Sequence, residues 1–319
     1  MKAAIVRTFD RPPIYGDFSE PTPQPGETPI SVTAAALSHL TWDRASGSHY
    51  SADSQLPIIP GIDGVGRTPD GRRVYFAATR PPYGAMAERT VTRGSVPVPE
   101  GVEDTVAAAA ANPGMSCWIP LTRLAPVQPG ESVLVNGATG SAGRMAVQVA
   151  KYLGASRVIA TGRDEAKLRE LTELGADQGI SLRQPAEALR TAVRTAARDA
   201  NVSVVLDYLW GPSAETILSA LAGPGAPRGA ARIRYVEVGS AAGPTITLDG
   251  AVLRSAGIEI LGTGLGSVSN SALIEGIGHF LEALATARFH ISVEVRPLAE
   301  VESAWARPAS DARLVFSNP

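Results

Sequence analysis

From residue 132 to residue 262 the chain alternates short apolar, β-branched runs with helix-forming segments, and this alternation restricts the fold more than any other feature. The apolar runs are SVLVNGA, SRVIATG, VSVVLDYL, RIRYVEVGS and GIEILGTG, with RMAVQVAKYLGA and DEAKLRELTELGAD between the earlier ones. Strands apolar on both faces need a cover on each side, so the pattern predicts an α/β fold with a parallel sheet between two helical layers. In the first helix Met145, Val149 and Leu153 recur every four residues, and in the second Leu168, Leu171 and Leu174 recur every three. Each helix thus presents one apolar stripe to the sheet. Gly154 and Gly175 stand where these helices are expected to end.

Between the first strand and the first helix lies NGATGSAG, residues 136–143. A dinucleotide-binding turn uses one glycine for the sharp reversal, a second so that phosphates can approach the backbone, and a third for close helix–strand packing. Ala138 takes the first place with Gly137 just before it, and Gly140 and Gly143 hold the other two. Thr139, Ser141 and Ala142 complete the candidate loop, and a helix starting near Ser141 would aim free N–H groups and its positive dipole end at the phosphates. A glycine turn alone is only a reversal; the flanking strand, amphipathic helix and second strand make it a nucleotide loop.

Where an NAD site places Asp or Glu at the end of the second strand, this chain has Gly162 and Arg163. A small residue leaves room for a ribose 2′-phosphate, Arg163 offers it a bidentate fork, and Lys167 follows one helical turn later, so NADP(H) is the expected cofactor. The alternative is that Arg163 and Lys167 are ordinary surface charges and Asp164 only a helix cap. Gly239, Ser240, Gly262 and Thr263 end later strands and fall along the crevice where ligands of such sheets bind.

The flanks differ. Residues 1 to about 110 are dense in Pro and Gly between short β-prone runs, which predicts a barrel-like β domain. VEDTVAAAAANPGMSCWIPLTRLA, from residue 102, reads as a helical connector interrupted by Pro113 and Pro120, and after residue 266 one long helix and further β-prone runs return the chain to the first domain. A length of 319 residues suits two domains. The net charge of −2 provides no basic surplus for nucleic acid or an anionic membrane. Cys117 is the single cysteine, so no intramolecular disulfide can form, and a reducing, cytoplasmic setting is expected. No run suits a signal peptide or a membrane span.

Several stations occur in order: AAALSHLTWDRASG (34–47), PGIDGVG (60–66), GRRVYF (71–76), YGAMAERTVT (83–92), NGATGSAG and YVEVGS (235–240). With them nearly the whole chain resembles the medium-chain dehydrogenase/reductase superfamily, and within it the zinc-independent quinone oxidoreductases. The resemblance implies a GroES-like β-barrel-type catalytic domain over residues 1–115 and 267–319 and a Rossmann doubly wound parallel-sheet domain over 116–266 that binds NADP(H). The zinc branch ligates its metal with Cys or Asp at the first station and His at the second; Ser38 and Ile62 stand there, and isoleucine cannot bind a metal.

By the same resemblance, Ser38, Thr41 and Tyr50 are the expected catalytic residues, His39 is expected beside the nicotinamide ribose, and Ser116 near its carboxamide or the interdomain cleft. Two departures stand out: Ser38 and Thr41 replace an Asn and an Asp, and Ser181 and Leu182 replace an Asn-Tyr pair whose tyrosine stacks near the adenine. The implied chemistry is metal-free hydride delivery to a small electrophile, a quinone or an α,β-unsaturated carbonyl, by a homodimer with IEILGTG at the sheet edge. A biosynthetic tailoring enoyl reductase and a nucleotide-binding sensor or structural protein without turnover are the alternatives.

Overall fold

A computed structural model describes residues 1–48, 55–222, 232–264, 266–305 and 312–318. Contacts divide the chain into one unit of Met1–Asn112 with Asn270–Pro319 and another of Pro113–Ser269. In the first unit β1 (Lys2–Ile5) and β2 (Ile14–Asp17) form an antiparallel pair. There follow β3 (Thr28–Ala36), α1 (His39–Ala45), β4 (Asp63–Arg67), β5 (Arg73–Thr79), β6 (Arg89–Pro97) and the start of α2 (Asp104–Ile119).

The second unit contains β7 (Ser132–Asn136), α3 (Ser141–Tyr152), β8 (Arg157–Gly162), α4 (Glu165–Glu170), β9 (Gln178–Ser181), α5 (Ala186–Ala200), β10 (Val202–Asp207), α6 (Gly211–Ala222), β11 (Ile233–Glu237), α7 (Gly250–Ala256) and β12 (Ile258–Gly262). The chain then returns to the first unit with α8 (Asn270–Ala287), β13 (Val293–Pro297), α9 (Val301–Ala304) and β14 (Arg313–Ser317).

In the first unit β3 pairs with both β4 and β6, and β5 bridges those two, so the antiparallel sheet closes on itself as the punctuated strands predict. β14 extends it from β3, which is how the C-terminal runs rejoin the N-terminal domain. Its core holds Ile30, Val32, Val74, Phe76, Met86 and Phe316. The second unit is a parallel sheet in the order β12-β11-β10-β7-β8-β9. On one face Leu134, Val205 and Tyr235 pack with Val193 of α5 and Ile217 of α6. On α3 Met145, Ala146 and Val149 are buried, the stripe read from the sequence.

Two helix boundaries differ from the sequence expectation. Pro113 lies inside α2 without interrupting it. Ala107 to Ala111, the run before it, is completely buried, and that packing outweighs the roughly 3 kcal/mol an interior proline costs. The second amphipathic helix stops at Glu170, because the bonds after it tighten: Thr172, Glu173, Leu174 and Gly175 each donate to the carbonyl three residues back. Gly175, at φ +107°, then turns the chain toward β9.

The barrel buries one charged group whose titration has consequences. Asp63 accepts a hydrogen bond from the Tyr75 hydroxyl through Oδ2, while its Oδ1 has no partner among the described residues. Burial pushes its pKa up to about 6, against the opposing pulls of the Tyr75 hydrogen bond and the Arg313 charge. The folded state therefore holds this proton more tightly than the unfolded chain, so the stability Asp63 contributes is full below about pH 4 and is lost as pH rises through about 6. Relative to Asp63→Asn, the wild-type protein should lose up to about 3 kcal/mol between these limits. Thermal melts of both proteins over pH 4 to 7 check this, and a difference that does not change with pH contradicts it.

Candidate functional site

The parallel registers bring the strand ends to one edge of the sheet. Asn136 pairs with Asp207, Asp207 with Glu237, Glu237 with Gly262, and Gly162 with Ser181. The strand order reverses between β7 and β10, and the turn 137–140 leaves the sheet at that point. The positive φ of the turn falls on Gly137, at +85°, so the sharp reversal belongs to this glycine and Ala138 is completely buried. A Cβ on Gly143 would lie 2.4 Å from the Gly137 carbonyl oxygen and 2.5 Å from the Ala138 Cα, which makes Gly143 the close-packing position between helix and turn.

Gly140 is different. It is the N-cap of α3 in an extended conformation, makes no side-chain cap bond, and a Cβ there would meet nothing within 4 Å. No acidic residue stands in the first turn of α3 either. The N–H groups of that turn therefore keep their donors and the dipole its positive end, beside a backbone that no protein neighbour requires to be glycine. This cradle fits a phosphate.

A buried polar network fixes the turn from below. The Asp207 carboxylate is fully buried and accepts through Oδ1 from Asn136 Nδ2 at 2.7 Å, the Leu209 N–H at 2.8 Å and the Trp210 N–H at 3.0 Å. Its Oδ2 accepts from the Tyr235 hydroxyl at 2.5 Å. Burial, followed by the Asp207 charge, raises the Tyr235 pKa well above the ordinary phenol range and keeps it a donor. Asn136 Oδ1 accepts from Thr161 Oγ1 at 2.6 Å, and Thr161 in turn accepts from the Gly137 N–H at 3.2 Å and, through its carbonyl, from the Ala138 N–H at 2.8 Å. The Leu209 side chain sits against Gly137 and Trp210 is held at φ +55°, a costly conformation for a bulky residue. Asn136, Thr161, Asp207 and Tyr235 were not among the sequence candidates. In the sequence Asn136, Thr161 and Asp207 stand out only as polar residues near the ends of apolar strands, and Tyr235 lies in the middle of its own.

At the end of β8 a Cβ on Gly162 would come within 2.4 Å of Thr139 Cγ2, so an acid at this position would require Thr139 to turn away. Arg163 is exposed, and Asp164 caps α4 by accepting from the Ala166 and Lys167 N–H groups. Lys167 is half-buried on α4. Ser116 donates its hydroxyl to the Pro113 carbonyl at 2.7 Å and lies 3.3 Å from the Tyr208 hydroxyl. The Gly239 N–H donates to the Asp207 carbonyl, Ser240 is exposed just beyond, Gly262 ends β12, and the Thr263 N–H donates to the Glu237 carbonyl. All except Ser116 thus flank the carboxyl edge of the sheet.

In the first unit Ser38 caps α1: its Oγ accepts from the Thr41 N–H at 2.9 Å and donates to Thr41 Oγ1 at 2.9 Å. Both hydroxyls are buried. Thr41 and Ile62 line one small pocket of this unit together with Ile59, Thr79 and Tyr83. His39 is the exposed first residue of α1, and Tyr50 lies outside the described residues. Among the described residues no group of three His, Cys, Asp or Glu is placed to hold a metal ion, and no helix is long and apolar enough to cross a membrane.

Comparison with known proteins places this geometry. Residues 142–277 match the family described as zinc-binding dehydrogenase, a stretch that leaves out Ser38 and Ile62, the positions of the metal ligands in the zinc branch. The chain is similar to a mycobacterial quinone oxidoreductase, with a TM-score of 0.85, 24% identity and full coverage of both chains. It is also similar to the quinone oxidoreductase of Thermus thermophilus, solved with NADPH, with a TM-score of 0.79 and 28% identity over the whole of both chains. A relative from Emericella nidulans, described as a probable NADPH-dependent quinone reductase tdiC, is 32% identical over an alignment of 351 residues covering 96% of each chain. Since that likeness runs through the barrel strands and the glycine turn alike, the chain belongs to the medium-chain dehydrogenase/reductase superfamily, in its zinc-independent quinone oxidoreductase branch.

Proposed function

We propose that this protein is an NADPH-dependent oxidoreductase that reduces a quinone or an α,β-unsaturated carbonyl without a metal. The observation that carries it is the turn of the second unit: an uncapped α3 start beside Gly140, joined at the end of β8 to Gly162 and Arg163 instead of an acid. The full-length quinone reductase relatives support this reading over a carrier-bound tailoring role or a sensor. Bound NADPH supplies hydride from its nicotinamide ring to the acceptor.

In this reading Gly137, Ala138, Thr139, Gly140, Ser141, Ala142 and Gly143 hold the pyrophosphate, Arg163 and Lys167 the 2′-phosphate, and Gly239, Ser240, Gly262 and Thr263 the nicotinamide half. His39 and Ser116 are assigned to the cofactor as well. The bond from Ser38 to Thr41 Oγ1 leaves the Thr41 hydroxyl its own proton, which suits it to stabilise negative charge on the acceptor oxygen. Tyr50 is assigned as a second hydrogen-bond donor to that oxygen.

The proposal extends to assembly and location. β12 is an edge strand of its sheet with Ile260 37% exposed, which supports a homodimer formed through that edge. The lone buried Cys117 supports a cytoplasmic setting.

Steady-state assays of NADPH and NADH oxidation against free quinones, enones and thioester enones test the reading. Turnover of quinones or free enones with NADPH is expected, and activity confined to thioester enones, or none at all, overturns it. The glycine geometry makes a second prediction. Gly140→Ala should melt as the wild type does yet bind NADPH at least about tenfold more weakly, whereas Gly143→Ala should lower the melting temperature. Unimpaired NADPH binding by Gly140→Ala, measured calorimetrically, removes the phosphate from this turn.

A further inference from the structure

The end of β9 brings a third cation to the end of β8. Gly162 pairs with Ser181, and the Leu182 N–H donates to the Gly162 carbonyl at 2.7 Å, which sets the next residue, Arg183, beside Arg163. The Arg183 N–H donates to Ser181 Oγ at 3.3 Å, and its Nε donates to the Arg163 carbonyl at 2.8 Å. This last bond lays the exposed guanidinium across the strand end while its two terminal nitrogens have no hydrogen-bond acceptor among the described residues. Among the described residues neither Arg163 nor Arg183 forms an ion pair, although acids are near. Asp164 spends Oδ1 on the two N–H groups it caps, and the Arg183 charge is among the influences that lower its pKa. Arg163, Lys167 and Arg183 thus outnumber the neighbouring Asp164 and Glu165.

We propose that Arg183 is a specificity-determining residue that, with Arg163, grips the 2′-phosphate on the adenosine ribose of the cofactor. The proposal rests on the reading of that cofactor as NADP(H). A phosphate has three oxygens to satisfy, and the Arg183 fork offers two donors in a plane suited to two of them. The bond to the Arg163 carbonyl holds the fork in place before the ligand arrives, which reduces the side-chain ordering that binding costs. The proposed contact is to the phosphate alone, so the residue should discriminate between the two and leave the rest of the nucleotide unaffected.

The test is calorimetric titration of the full-length protein with 2′,5′-ADP and with 5′-AMP, which separates phosphate recognition from turnover. Wild type should bind 2′,5′-ADP at least about tenfold more tightly than 5′-AMP. Arg183→Ala should lose about tenfold for 2′,5′-ADP with 5′-AMP unchanged, Arg183→Lys should fall between, and Arg163→Glu should lose more. If wild type and Arg163→Glu behave as stated but Arg183→Ala keeps the wild-type ratio, the role of Arg183 is overturned and the cofactor reading stands. Equal weakening for both nucleotides overturns it too, as a structural effect. If wild type itself shows no preference, the NADP(H) reading fails and this inference falls with it.

Discussion

A fully buried carboxylate, met by hydrogen-bond donors and by no cation among the described residues, organises the cofactor half of this protein. Asp207 is removed from water at the end of β10, and among the described residues it is met by N–H and O–H donors alone: Asn136, the backbone of Leu209 and Trp210, and Tyr235. A charge in that position is tolerated because every donor is already in place, and losing any of them would leave it under-compensated. The requirement is therefore structural in both directions. It holds the loop after β10 in a conformation that Trp210 would not adopt freely, and through Asn136 and Thr161 it holds Gly137 where the chain must reverse. Two loops that meet at the reversal of strand order are thus tied into one hydrogen-bonded network, and α3 starts from it with no side-chain cap on its first turn.

What the sequence made legible was local. The strand–turn–helix period, the placing of Gly140 and Gly143, the helix end at Gly154 and the missing acid at Gly162 all depend on residues within a few positions of one another, and the fold follows them; the helix before Gly175 ends sooner, at Glu170. What it hid was long-range. Asn136 and Asp207 are 71 residues apart, and no periodicity announces that an asparagine closing one apolar strand bonds an aspartate closing another. β9 and α5 were also absent from the predicted order, and with them Arg183, whose neighbours Ser181 and Leu182 had drawn notice only as substitutions. Pro113 misled for the complementary reason: its local preference is real, but the buried alanines before it decide the outcome.

The first unit speaks through its substitutions. An isoleucine and a serine stand where the zinc branch has metal ligands, and Ile62 shares a pocket with Thr41, whose hydroxyl is oriented by Ser38 from the cap of α1. In this account charge on the acceptor oxygen is met by preorganised hydrogen-bond donors where the metal branch uses a Lewis acid. In the proposed function the second unit carries the cofactor and the first supplies donors to the acceptor, each from short-range geometry of its own.

In the proposed function the glycine turn and the basic end of β8 together select a 2′-phosphorylated dinucleotide. Direct calorimetric titration of the wild-type protein with NADPH and with NADH, in the same buffer and salt, tests it without any acceptor. NADPH should bind at least about tenfold more tightly, the worth of one or two charge-assisted hydrogen bonds. Equal affinities, or tighter binding of NADH, would contradict it.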